Sequence, residues 1–167
     1  MIKLRLATED DIDSIYEIIE EVKIYLKNEE INQWQNGYPD RNTIKNDVDN
    51  KKGHLILVDE KIAGYICIDF DGEPGYEEIV GNWLTNQKYV VIHRMAIKKE
   101  FRGNGISYDV FKLVENIAEE RGISSIKIDT DVSNKRMQHL LNKLNYTYCG
   151  TIISTDGGER LAYEKII

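Results

Sequence analysis

Residues 89–122 restrict the fold more than any other part of this chain. An apolar segment, Tyr89-Val-Val-Ile-His-Arg-Met-Ala-Ile97, runs into Lys98-Lys-Glu-Phe101 and then into Arg102-Gly-Asn-Gly-Ile-Ser107. Ile106, Val110, Leu113, Val114, Ile117 and Ala118 then follow the 3.6-residue period as far as Gly122, a suitable helix stop. The order is strand, glycine turn, helix. Gly103 and Gly105 permit positive φ and let a ligand approach the main chain with no Cβ in the way. The helix they open has four N–H groups without internal partners and the positive end of its dipole. Such a terminus suits an anion, most naturally a phosphate. Two glycines in a loop are also consistent with a plain turn. Ile106-Ser107 follows Gly105 where a P-loop needs Lys-Ser or Lys-Thr, and Tyr108 stands where a dinucleotide fingerprint needs its third glycine.

A chain of 167 residues suffices for one well-buried core and is short for two ordinary domains, so residues 1–167 are read as a single domain. Hydrophobic residues at 41% and charged residues at 31% are ordinary for a soluble globular protein. The net charge of −7 argues against nucleic-acid or anionic-membrane partners and is compatible with a cationic amine substrate. Cys67 and Cys149 show neither C-x-x-C nor Cys/His metal spacing, so they read as reduced core thiols and no metal site is expected. The N-terminal residues lack a signal-peptide hydrophobic region, and no apolar run approaches the about 20 residues of a membrane span. A cytoplasmic protein is the expectation.

Ile2, Leu4 and Leu6 alternate with polar neighbours as a short strand. Thr8, with Asp11 three residues on, can cap a helix whose apolar face is Ile12, Ile15, Ile19, Val22 and Leu26, ending near Asn28. The stretch from Ile31 to Pro39 is turn-rich and holds Trp34 and Tyr38. These aromatics either line a ligand pocket or pin the loop to the core. Asp40 can cap a short helix through Ile44 and Val48. The runs 54–59 and 61–69 form an antiparallel hairpin. Residues 71–88 read as a long loop whose Tyr76, Glu77, Glu78 and Trp83 could lie over a substrate, solvent-exposed acids being the plainer explanation of the glutamates. After the central helix, 124–130 alternates as a strand parallel to the one before that helix. A helix capped at Ser133 or Asn134 carries Met137, Leu140, Leu141 and Leu144 on one face and ends at Asn145, which tolerates the left-handed region. Residues 146–153 and 160–166 flank the turn Thr155-Asp-Gly-Gly158 as a terminal hairpin.

Arg102-Gly-Asn-Gly105-Ile-Ser107 resembles the Gln/Arg-x-x-Gly-x-Gly/Ala signature of the GNAT N-acetyltransferases over its first four positions, with Ser107 in place of the usual small final residue. The element order is similar to theirs along nearly the whole chain. His93-Arg-Met-Ala-Ile97, Gln33-Trp34 with Gly37-Tyr38-Pro39, and Asn134-x-x-Met137-x-x-Leu-Leu-x-Lys143 look like one bacterial group within that family. The resemblance implies a mixed α/β fold, a central, mostly antiparallel sheet of six to seven strands flanked by about four helices. It also implies acetyl-CoA as acyl donor and a primary amine of a small molecule or peptide as acceptor. A homodimer through a shared sheet edge stays open.

The same resemblance implies that the main chain at Met95, Ala96 and Ile97 meets the pantetheine arm and the thioester carbonyl. The amides of Arg102, Gly103, Asn104, Gly105, Ile106 and Ser107 would wrap the pyrophosphate. Asn134 matches an asparagine that faces the cofactor in the family, and is equally explained as a helix cap. Direct attack by an amine requires loss of an ammonium proton and polarisation of the thioester carbonyl. His93, with an ordinary pKa near 6.5, is the candidate base, at a position where aralkylamine N-acetyltransferases carry a relay histidine; a hydrogen-bonded core histidine is the plainer alternative. The family tyrosine that protonates the departing thiolate has Leu141 at its place, and the base glutamate of histone-type members has Val91. Trp34, Tyr38, Tyr76 and Trp83 are the candidate acceptor contacts. A catalytically weak acyl-CoA-binding module is the competing reading.

Overall fold

The computed structural model describes residues 1–154 and 157–167. Eight strands, β1 (Ile2–Leu6), β2 (Gly53–Val58), β3 (Lys61–Asp69), β4 (Val80–Gly81), β5 (Val90–Ile97), β6 (Ser125–Asp131), β7 (Thr147–Ile153) and β8 (Glu159–Ile166), form one sheet. Their order is β1-β2-β3-β5-β6-β8-β7-β4. Four helices accompany it: α1 (Ile12–Asn28), α2 (Arg41–Asp49), α3 (Ile106–Glu120) and α4 (Lys135–Lys143). The sheet has one strand more than the upper expectation. The additional strand is β4, two residues of the 71–88 loop that pair with Thr151 and Gly150 of β7, too short to leave any alternation in the sequence.

All neighbours are antiparallel except β5 and β6, which are joined through α3. Two apolar clusters sandwich the sheet. Ile66, Ile68, Ile126 and Ile128 point towards α3 and α4 and meet Val110, Phe111, Val114 and Leu141. Leu55, Tyr65 and Cys67 point the other way, onto Ile15, Ile19 and Ile44 of α1 and α2. This period-2 division on β3 explains why a nearly continuous apolar run lies in one strand.

The helix ends carry the residue types their sequence signals require. The Thr8 N–H donates to Asp11 Oδ2 at 2.8 Å, and the Thr43 N–H to Asp40 Oδ1 at 2.8 Å. Asn145 closes α4 with φ +66°, and the Tyr146 N–H reaches back to the Leu141 carbonyl. The expected terminal hairpin is present as β7 and β8; Thr155 and Asp156 of its turn lie outside the described residues.

One glycine inside the sheet follows from strand contact rather than from a turn. A Cβ on Gly64 would run into the Ala96 carbonyl oxygen of β5. Gly64→Ala should therefore destabilise the fold by about 2–3 kcal/mol through overpacking, read as a lower urea midpoint at unchanged slope.

Candidate active site

The parallel pairing of β5 with β6 covers only Val90↔Ile126 and Val91↔Lys127. Beyond Val91 the strands part, and a cavity of about 490 Å³ opens between Ile92–Met95 on one wall and Ile128–Thr130 on the other. The ladder between β5 and β3 also breaks here. Tyr65 pairs with Ala96 and Cys67 with His93, so Ile66 faces both Arg94 and Met95. This is a bulge, and Arg94 adopts φ +48°, a region that residues with side chains rarely occupy.

Arg94 is held there by a buried network. Its Nε donates to Asp47 Oδ2 at 2.8 Å and its Nη2 to Oδ1 at 2.5 Å. The Tyr65 hydroxyl donates to the same carboxylate at 2.6 Å, and Arg94 Nη1 donates to the Tyr38 hydroxyl oxygen at 2.7 Å. Burial alone would lower the guanidinium pKa, but its hydrogen bonds to Asp47 hold it above its ordinary value, so the guanidinium stays charged. Neither Asp47 nor Arg94 was singled out in the sequence. The only signals are an acid on the apolar face of α2 and an arginine within an apolar strand.

His93 lies on the cavity wall with its side chain 15% exposed, and Nε2 is 3.5 Å from Glu73 Oε2. Burial, then the neighbouring Arg94 guanidinium, push its pKa down to about 3. The expectation of an ordinary value near 6.5 is corrected: the imidazole is neutral over the physiological range. Glu73, also missed in the sequence, lines the cavity with Glu78.

Trp34, Tyr38, His93, Met95 and Asn134 meet at the cavity. Trp34 lies in the α1–α2 core and on the cavity wall. Asn134 caps α4 through the Met137 N–H at 3.2 Å, and its Nδ2 donates to Gln33 Oε1 at 3.0 Å, tying α4 to the loop before α2. Ala96 and Ile97 are buried beyond the cavity, on the path from Met95 to the glycine turn.

Tyr76 and Trp83 lie outside the cavity, a correction to their reading as substrate contacts. Tyr76 is 1% exposed and donates to Asp129 Oδ2 at 2.6 Å. Trp83 donates to the Tyr76 carbonyl at 2.8 Å and packs on Lys127. Both anchor the 71–88 loop, because an aromatic with a polar tip serves a buried loop base as well as a ligand. Tyr146 and Tyr148 stay outside the cavity too: Tyr146 is buried edge-on to Phe111, and Tyr148 packs on Tyr163. Leu141 is fully buried in the core.

At the turn after β5, Gly103 and Gly105 take φ +83° and +72° with open space where a Cβ would stand. Gly105 is the N-cap of α3 and brings no side-chain oxygen to its free amides. Arg102 Nε donates to the Ile97 carbonyl at 2.9 Å, and its guanidinium lies 4.1 Å from the Tyr25 ring centre. Its side chain thus braces the turn. Gly103, Asn104 and Gly105 are exposed, Ser107 is half-buried, and Ile106 enters the core. Among the described residues, no grouping of His, Cys, Asp or Glu could hold a metal, and no helix is long and apolar enough to cross a membrane.

The parting of β5 from β6 thus lies on the same strand–turn–helix unit as the glycine start of α3. The model of the Acetyltransferase (GNAT) family matches residues 12–146, and the chain belongs to that family. A GNAT acetyltransferase from Streptococcus agalactiae 2603 is 35% identical, with 99% of this chain and 95% of that chain covered and a TM-score of 0.88. One from Listeria monocytogenes 4b F2365 is 18% identical over 99% and 95%, with a TM-score of 0.80. The aminoglycoside acetyltransferase AAC(6')-Ib, solved in complex with coenzyme A, shares the fold at 18% identity over 99% and 95%, with a TM-score of 0.72. No curated protein sequence matches the chain.

Two outcomes test this site. The unfolded chain protonates His93 near pH 6.5 and the folded chain only near 3, so the folded state binds fewer protons in that window. Stability is therefore lost as pH falls from about 6.5 to about 3, and His93→Gln should show a shallower loss in urea midpoints over that range. Asp47→Ala, which leaves Arg94 buried without its counter-ion, should cost about 3–5 kcal/mol.

Proposed function

We propose that this acetyltransferase uses acetyl-CoA and acetylates a primary amine of a small molecule or peptide, by direct attack in a ternary complex, and that the acceptor is cationic. The observation that carries this reading is the charge balance of the cleft. Its two guanidiniums are answered from within the protein, Arg94 by Asp47 and Arg160 by Asp129 at 3.5 Å. Glu73 and Glu78 add two further carboxylates to the lining. An ammonium is the natural complement.

The donor side fits acetyl-CoA on two observations. Gly105 leaves the amides at the start of α3 uncapped, a site suited to the pyrophosphate with Arg102 to Ser107 around it. Thr130, 1% exposed on the β6 wall, has a hydroxyl without a hydrogen-bond partner. A buried hydroxyl left unpaired is costly, and a pantetheine arm between β5 and β6 would supply its partner. Met95, Ala96 and Ile97 then form the main-chain edge for the arm, with a bulge amide at Met95 or Ala96 facing the thioester carbonyl. Asn134 stands across from them.

On the acceptor side Trp34 and Tyr38 provide aromatic wall and Glu73 receives the ammonium. His93 is neutral and stands 3.5 Å from Glu73 on that wall, and Glu73, which meets the ammonium, takes its proton. The competing reading, an acyl-CoA-binding module without turnover, draws on the burial of Leu141 where the family tyrosine stands. Acetyl-CoA binding with no acetylation across a broad amine panel would establish that module.

Acetyl-CoA at 100 times its dissociation constant should stabilise the protein by about 2.7 kcal/mol, visible as a thermal shift. No shift at millimolar concentration would overturn the reading. Glu73→Gln should raise KM for cationic amines roughly tenfold while leaving the acetyl-CoA shift intact, since an ammonium–carboxylate hydrogen bond contributes about 1.5–3 kcal/mol.

A further inference from the structure

The cleft holds a hydroxyl in an unusual setting. Tyr38 is the one tyrosine lining the cavity among the described residues. Arg94 Nη1 donates to its oxygen at 2.7 Å. A guanidinium can only donate, so this bond occupies a lone pair of the phenol and leaves the phenolic hydrogen for another partner. The guanidinium is itself fixed by two bonds to Asp47, so the phenol cannot swing with it. Arg94 is also one of the two bulge residues, directly before Met95 in the chain. Tyr38 and Met95 line the same cavity, and the proposed function puts the thioester beside Met95.

We propose that Tyr38 is the acid that protonates the departing thiolate, the role left vacant at Leu141. This rests on the reading that the pantetheine arm runs along Met95 to Ile97. As the tetrahedral adduct collapses, its C–S bond breaks and the electron pair passes to sulfur. Sulfur takes the Tyr38 proton to give the thiol. The phenolate left behind lies 2.7 Å from a guanidinium nitrogen, which stabilises its charge until solvent returns a proton. Burial pushes the Tyr38 phenol above its ordinary value, with Arg94 pulling it partly back, so the acid form is the one present at neutral pH.

The other candidate groups are committed elsewhere or lack the proton. Tyr76 is committed to Asp129, Tyr65 to Asp47, and Tyr146 is packed on Phe111 in the core. His93 carries no proton to give beyond that of its neutral ring.

The test measures acetylation of a cationic amine by wild type and Tyr38→Phe, each saturated with acetyl-CoA. The expected result is a fall in kcat of about 100-fold, as for loss of a general acid, with amine KM and acetyl-CoA affinity within twofold of wild type. A raised KM with kcat retained would make Tyr38 an acceptor contact and overturn the proposal, as would unchanged kinetics. Site-specific 3,5-difluorotyrosine at position 38 keeps the Arg94 bond but ionises more readily. It should move the alkaline limb of kcat to lower pH, and an unmoved limb would overturn the proposal. Acetyl-CoA binding by wild type with no turnover of any amine would overturn the acetyltransfer reading together with this one. Turnover with Tyr38→Phe unimpaired would overturn this one alone.

Discussion

The Asp47–Arg94 ion pair is the interaction on which the cleft depends. A non-glycine residue at positive φ within a strand costs about 1–3 kcal/mol and persists only where its surroundings over-determine it. Here the surroundings are two hydrogen bonds to a buried carboxylate, a third to Tyr38 and a contact with Cys67. Removing either ion would strand the other in an apolar interior. The pair thus fixes the bulge at Arg94 and Met95, close to where β5 leaves β6. A regular strand would continue the parallel ladder past Val91 and close the space that the cavity occupies. Helix α2, remote in sequence, is accordingly part of the site through a single aspartate.

A second set of buried polar groups fixes the opposite rim. Glu164 is fully buried and accepts from the Leu84 N–H, the Thr85 hydroxyl and the Ser125 hydroxyl. Lys127, across the ladder from Glu164, lies 4.3 and 4.0 Å from the ring centres of Trp83 and Tyr89. Burial lowers its pKa, with the Glu164 carboxylate pulling it partly back. The Tyr89 hydroxyl in turn accepts the Glu73 N–H at 3.1 Å. A long loop held at so many buried points behaves as a wall, so Glu73 is delivered to the cavity by a rigid base rather than by a closing flap.

These two networks also explain what the sequence showed and what it hid. The strand, glycine turn and helix of 89–122 were legible because each level is local: alternation, positive φ and a 3.6-residue period lie within one window. The caps at Thr8, Asp40, Asn134 and Asn145 were legible for the same reason. Asp47, Arg94 and Glu73 were not, because their meaning comes from partners 47 residues or 20 residues away that share no pattern with them. Tyr76 and Trp83 misled because an aromatic anchor under a loop and an aromatic over a substrate have the same composition. His93 lines the cavity, but its charge state depends on burial and on Arg94, which no spacing reports.

The division of labour follows from what each ligand requires. A cofactor held through main-chain amides and an opened strand edge depends on backbone geometry, so glycines and strand order suffice to announce it. An acceptor and a proton donor depend on side chains brought together from different elements. Leu141 of α4 is packed into the same core as Phe111 and Tyr146. A tyrosine there would have to displace that core, so the position is bound to packing. In the proposed arrangement the hydroxyl comes from Tyr38 in the loop before α2, and the guanidinium of Arg94 is the group that aims it. One buried pair thereby shapes the cleft and orients the phenol that lines it.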